Sequence, residues 1–95
     1  MAKTLMDCRN EIDAIDDKLL ELLIARNKVS LDIADIKIAS GDMSVYKPER
    51  EAQIIDRLSE KTKAEHEKTM VQNVWNEIMK NSRLTQLQYM VNRLR

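Results

Sequence analysis

Several cationic and amide side chains fall on helical faces that are otherwise apolar. From Lys18 to Lys37 the chain reads KLLELLIARNKVSLDIADIK, and its apolar residues recur at steps of three and four. Arg26 interrupts this stripe at a position where the rhythm favours leucine. Because burial of an unpaired guanidinium costs several kcal/mol, an inward Arg26 needs a partner.

Two kinds of partner fit Arg26. One is a core or interface glutamate in a salt bridge, and the other is a bound anion, because a guanidinium pairs bidentately with carboxylate or phosphate. Lys37 lies eleven residues later, about 1100° around the helix, and therefore shares the face of Arg26 at a Cα distance of about 16 Å. The pair leaves room for one small anionic ligand, although a lysine near a helix C-terminus also stabilises the helix dipole.

Arg9 is a third cation on this helix, rotated about 100° from Arg26 and about 25 Å away along the axis. It cannot easily reach the same pocket from the same chain. A partner chain in a dimer could supply it, or it could form a surface pair with Asp13 at i+4.

Polar residues also mark the two later helices. Ser82 and Gln86 project from one face at i, i+4, where they could form an interhelical hydrogen bond or line a pocket. Arg50 and Glu51 lie at the start of the second helix. The helix dipole explains Glu51 but not Arg50, since a cation in a first turn is mildly unfavourable.

The composition predicts one domain, 1–95, of soluble helix. Sixteen basic residues balance sixteen acidic ones, which disfavours nucleic acid or an anionic membrane as partner. No apolar run is long enough to span a membrane and the N-terminus lacks a signal-peptide pattern, so we expect a cytoplasmic protein. Cys8 and His66 are single and show no metal-ligand or nucleophile–base spacing, so we predict no metal and no cofactor.

The only glycine and the only proline both fall in SGDMSVYKPERE, which places a loop at about 40–47. We predict an all-α fold of three helices at about 6–39, 48–65 and 68–94. The first helix would be roughly 50 Å long, more than a compact domain of this size is wide. Its excess apolar stripe favours an intertwined homodimeric bundle, with a long coiled coil as the structural alternative.

The apolar periodicity also predicts which side chains face inward. On the first helix they are Cys8, Ile12, Ile15, Leu19, Leu22, Val29, Ile33 and Ile36. On the second they are Ala52, Ile55 and Leu58, and on the third Met70, Val71, Val74, Trp75, Ile78, Met79, Leu84, Leu87, Met90 and Leu94.

Three segments together resemble the all-helical chorismate mutases: CRNEIDAIDDKLLELLIARNKVSLDIADIK, VYKPERE and NSRLTQ. The resemblance covers nearly the whole chain, and the combined spacing of its polar residues is specific. It implies an isomerase that rearranges chorismate to prephenate in phenylalanine and tyrosine biosynthesis. It also implies a homodimer and a reaction that needs no nucleophile, base or metal.

The resemblance assigns roles to the residues on the first and third helices. Arg26 would pair with one carboxylate of the substrate, and Arg9, donated across the dimer, with another carboxylate. Lys37 would donate to the ether oxygen and to a carboxylate. Gln86 would be the second donor to the ether oxygen.

The resemblance also assigns roles at the second helix. Glu51 would accept a hydrogen bond from the ring hydroxyl, while Arg50 and Ser82 would line the carboxylate side. Lys47 departs from the family pattern, because an aspartate commonly stands there. An acidic contact to the substrate's hydroxyl is therefore missing, and we expect weaker binding than is usual in the family.

Two rival functions stay open at this point. An isochorismate–pyruvate lyase shares the fold, although Ser82 together with Glu51 favours the mutase. A helical dimerisation module without an active site would explain the long stripe, but not why Arg26, Lys37 and Gln86 all turn inward. The sequence is also compatible with a free-standing chain or with one part of a fusion to another enzyme of aromatic amino-acid synthesis.

Overall fold

Three helices form the chain in a computed structural model that describes residues 2–94. They are α1 (Leu5–Ser40), α2 (Pro48–Ser59) and α3 (Glu65–Arg93). No strand occurs within these residues, so the all-α, three-helix prediction is confirmed. Met1 and Arg95, the ends of the predicted domain, lie outside the described residues. No helix in this range is long and apolar enough to cross a membrane.

The end of α2 and the start of α3 both lie earlier in the chain than the sequence indicated. We expected α2 to reach about residue 65, but it ends at Ser59, whose carbonyl oxygen accepts hydrogen bonds from Thr62 and from the Lys68 ammonium. α3 begins at Glu65 rather than near Lys68, because the Glu67 carboxylate accepts from the backbone N–H groups of Lys63 and Ala64. A short run of side-chain caps replaces the glycine or proline that usually marks such a turn.

The third helix is the centre of the fold, since both other helices pack on it. Side-chain contacts pair Asn27 with Asn81 and Asp35 with Tyr89, so α1 and α3 run in the same direction. α2 returns antiparallel to α3. Ser30 and Ala34 are the buried residues of α1, and small side chains there allow close approach of the helices.

Most of the apolar stripe of α1 is exposed, consistent with the prediction that the two shorter helices of the same chain cannot cover it. Every described residue from 2 to 25 is exposed, Cys8 included. The N-terminal half of α1 is therefore an arm without a single buried residue among those the structure describes. The radius of gyration is 17.1 Å, compared with about 12 Å for a compact domain of this length.

The core is correspondingly small. Val71, Met79 and Met90 are buried on α3, as the periodicity predicted, but Ile54 is the buried residue of α2 in place of the expected Ala52, Ile55 and Leu58. Trp75 and Ile78 are half-buried. The other expected inward residues of α3 are exposed: Met70, Val74, Leu84, Leu87 and Leu94.

The loop 41–47 connects α1 to α2 and is held by local hydrogen bonds. Gly41 caps α1 with φ of 78°, the left-handed conformation, and its N–H donates to the Ile38 carbonyl. The Asp42 carboxylate accepts from both the hydroxyl and the backbone N–H of Ser44, and it pairs with Lys47 at 3.4 Å.

Replacement of Gly41 should destabilise the protein through backbone strain alone. Nothing lies within 4 Å of a Cβ built at Gly41, so Gly41→Ala should lower the free energy of unfolding by about 1 kcal/mol. Gly41→Asn should cost less, because asparagine tolerates the left-handed region. Urea unfolding of both variants measures this, and an alanine variant as stable as the wild type would contradict it.

Asp42 should titrate unusually low. Hydrogen bonds from Ser44, first its hydroxyl and then its N–H, lower the pKa of Asp42 from 3.8 to about 2, with a smaller effect from Lys47. Because the folded-state pKa is depressed, this stabilisation is fully present above pH 3.8 and is lost as the pH falls through about 2. Carboxyl NMR should show the low pKa, and Ser44→Ala should raise it toward 3.8. Lys47→Ala, the control, should raise it less.

Candidate active site

A cavity of about 380 Å³ opens where α1, α2, α3 and the loop 41–47 meet. Its size falls in the range of small-molecule sites. Six of the seven residues predicted to form a site line it, two from each helix: Arg26, Lys37, Arg50, Glu51, Ser82 and Gln86. Apolar side chains, among them Ile33, Ile54 and Met79, form the rest of the wall.

Arg9 is the predicted site residue that does not line this cavity. It lies on the exposed arm of α1, seventeen residues before Arg26. The separation of about 25 Å along the helix cannot be closed by a side chain of the same chain.

Arg26 is half-buried and has no acidic partner. Its Nη1 donates to the Ser82 hydroxyl at 2.5 Å. No ion pair within residues 2–94 involves Arg26, so the glutamate partner considered from the sequence is not present in the described chain. Burial lowers the pKa of Arg26, and the positive charge of Arg50 lowers it further. The guanidinium nevertheless stays charged, as arginine does in proteins.

Lys37 links the third helix to the loop. Its ammonium donates to the Ser44 carbonyl at 2.8 Å and to Oε1 of Gln86 at 3.5 Å. Since the Gln86 oxygen faces a cation, its amide nitrogen remains as a donor toward the cavity. Gln86 is buried, which restricts the orientation of this amide.

Glu51 is paired with Arg83, a residue that the sequence reasoning did not assign to the site. Nη1 of Arg83 lies 2.6 Å from Oε1 and 2.5 Å from Oε2 of Glu51. The signal was available in the sequence, because Arg83 follows Ser82 directly and lies three residues before Gln86, on the cavity side of α3. Arg83 also stacks over the Tyr46 ring at 5.2 Å.

The cavity is strongly cationic. Its lining carries five cations, namely Arg26, Lys37, Lys47, Arg50 and Arg83, and one carboxylate, Glu51, a net charge of 5 − 1 = +4. Such a wall attracts a small molecule that carries more than one negative charge. Among the described residues, no group of three or more His, Cys, Asp or Glu side chains is placed to hold a metal ion.

Comparison with known proteins gives consistent results. A chorismate mutase from Methanocaldococcus jannaschii is 41% identical over 58 residues, which cover 61% of this chain and 58% of the relative. A bifunctional chorismate mutase/prephenate dehydratase from Pseudomonas aeruginosa is 35% identical over 75 residues, 75% of this chain and 20% of the relative. A protein of the same name from Aquifex aeolicus is 37% identical over 54 residues, 57% of this chain and 15% of the relative. No solved structure is significantly similar to the chain.

The chain thus spans 58% of the first of these relatives and a fifth or less of the other two. The family match covers a larger part of this chain than any of these three relatives does. The sequence pattern of type II chorismate mutases matches residues 8–87, a range that contains α2 and all seven predicted site residues. The chain therefore belongs to the chorismate mutase type II family.

Proposed function

We propose that the chain is a chorismate mutase, which rearranges chorismate to prephenate. One observation carries this proposal: Arg26 is half-buried, charged and without a carboxylate partner in the described chain, within a cavity of net charge +4. A dicarboxylate substrate would supply the missing anions. Membership of the family and the resemblance of the site residues support chorismate as this dicarboxylate.

The proposed reaction breaks one C–O bond and forms one C–C bond within a single molecule. No proton, electron or group has to be exchanged with the protein. Arg26, with Arg50 and Ser82 beside it, would hold one carboxylate and fix the flexible enolpyruvyl group over the ring. Restriction of the substrate to a reactive, chair-like conformer is then the first contribution of the protein.

Stabilisation of developing charge would be the second contribution. As the C–O bond breaks, negative charge builds up on the ether oxygen. Lys37 and the amide nitrogen of Gln86 are the donors that we assign to this oxygen, because both lie in the cavity and contact each other through the Gln86 carbonyl. Glu51 would accept a hydrogen bond from the ring hydroxyl.

The site would be completed by a second copy of the chain. The accessible surface is 7623 Å², whereas a compact monomer of this mass exposes about 5,700 Å². The arm of α1 contributes to this excess, because it exposes Ile12, Ile15, Leu19 and Leu22. An intertwined homodimer would bury these residues and bring Arg9 of one copy to the cavity of the other.

The direct test is incubation of the purified chain with chorismate. Loss of chorismate absorbance with prephenate as product supports the proposal. Release of pyruvate from isochorismate, without turnover of chorismate, would assign the lyase instead. No turnover of either compound, together with no thermal stabilisation by a bicyclic mimic of the transition state, would leave the dimerisation module.

Loss of Lys37 or Gln86 should lower kcat more than it raises KM, because both act on charge that appears mainly in the transition state. Lys37→Ala should lose roughly 10²–10³ in rate, and Gln86→Ala somewhat less, since its donor is neutral. Gln86→Glu should be poor at pH 7 and recover as the pH falls, because a protonated carboxyl donates where a carboxylate repels. Full activity of Gln86→Glu with a flat pH profile would show that Gln86 is not the donor.

Complementation tests the shared site. Arg9→Ala and Arg26→Ala chains should each be inactive. After unfolding and refolding together, mixed dimers should contain one site that lacks both groups and one intact site, so activity returns. Arg9→Ala mixed with the Arg9→Ala/Arg26→Ala double variant is the matched control, because no intact site can form. Absence of recovery in the first mixture, with chain exchange demonstrated, would exclude the donation of Arg9.

A further inference from the structure

The cavity contains a charge that should oppose its own ligand. A substrate with two carboxylates must bind next to Glu51, and carboxylates at short range repel each other, most strongly where water is partly excluded. Glu51 is nevertheless part of the wall. A site built for a dianion therefore has to neutralise this residue without removing its ability to accept a hydrogen bond.

The geometry of Arg83 meets both requirements. A single nitrogen, Nη1, contacts both oxygens of Glu51, at 2.6 and 2.5 Å. A carboxylate offers about four acceptor positions, so two donated contacts leave others for a hydroxyl group of the ligand. The two side chains are 30% and 22% exposed, which places the pair at the edge of the site, where screening by water is incomplete.

No other cation of the wall makes this contact in the described residues. Lys47 pairs with Asp42, and Arg50 lies close enough to Arg26 to lower its pKa. The guanidinium carbon of Arg83 also lies over the Tyr46 ring, 5.2 Å from its centroid. One side chain of α3 thereby connects α2 to the loop 41–47 beside the cavity.

We infer that Arg83 is a positioning residue that neutralises and orients Glu51, so that the cavity accepts a dianion while Glu51 still accepts a hydrogen bond. This inference rests on the proposed function. It differs from the role of a substrate-binding arginine, because Arg83 acts through Glu51. Removal of Arg83 should therefore be harmful only while residue 51 carries a negative charge.

A double-mutant cycle on kcat and KM separates these roles. Arg83→Leu should raise KM for chorismate roughly tenfold, as expected for a repulsive carboxylate left in a partly exposed site. In the Glu51→Gln background, the same Arg83→Leu change should have little effect. The Glu51→Gln change should lower activity when Arg83 is present, and restore part of it when Arg83 is absent. Arg83→Lys, which keeps the charge, should lie between Arg83→Leu and the wild type.

Arg57→Leu on the exposed side of α2 serves as the matched control, because it removes an arginine outside the cavity and should leave KM unchanged. Urea unfolding of each variant corrects for loss of folded protein, and Arg83→Gln replaces Arg83→Leu if the latter does not fold. An equal cost of losing Arg83 with Glu51 present and in the Glu51→Gln background, with an active wild type, overturns the inference alone. An inactive wild type overturns the proposed function and this role with it.

Discussion

Convergence of five cations on one small cavity, three of them partly buried, is the constraint on which the rest of the structure depends. Arg26 is half-buried in the groove between α1 and α3. Its guanidinium donates a hydrogen bond to the neutral hydroxyl of Ser82, not to a carboxylate. The cost of desolvation is not offset by an internal ion pair. These charges stay close together only if the surrounding helices hold them in place. α3 has this role, because it packs against both other helices and supplies Ser82, Arg83 and Gln86 from one face.

The same constraint explains why the core is small. A three-helix chain usually places its apolar stripes toward one another, but here three of the buried residues, Ser30, Ser82 and Gln86, are polar. The buried residues of α1 have short side chains, Ser30 and Ala34, while its large apolar residues are exposed, most of them on the arm. In the single chain, the net positive charge of the cavity is therefore not balanced by an anion, and the apolar residues of the arm are not buried. The proposed substrate would supply the anion, and the proposed dimer would bury the apolar residues.

The sequence predicts the polar lining of the cavity better than it predicts the buried core. The position of Lys37 on the same helix face as Arg26 follows from the rotation of about 100° per residue in an α-helix, which does not depend on how the helix packs. The apolar stripe of α1 correctly predicts a helix, but it does not predict which surface the stripe packs against. Periodicity does not say whether a helix face meets its own chain or another copy. Glu51 was read correctly as a first-turn acid, yet its pairing with Arg83 depends on how α2 lies across α3. The start of α3 was missed because the Glu67 cap is a side-chain contact rather than a glycine or proline signal.

Lys47 shows how an additional cation in the cavity wall is balanced locally. Lys47 adds a cation to a wall that already carries four others. Asp42, five residues earlier, forms an ion pair with it, and the pKa of Asp42 is held at about 2 chiefly by Ser44, so the carboxylate is ionised at any pH at which the protein would work. Both side chains are about half exposed, and water screens such pairs so strongly that they contribute little to stability. Asp42 therefore balances the positive charge of Lys47 without fixing the position of the lysine side chain. The loop keeps its shape through Ser44 and Gly41, and in the proposed complex the ammonium of Lys47 would be available to a substrate carboxylate in place of Asp42.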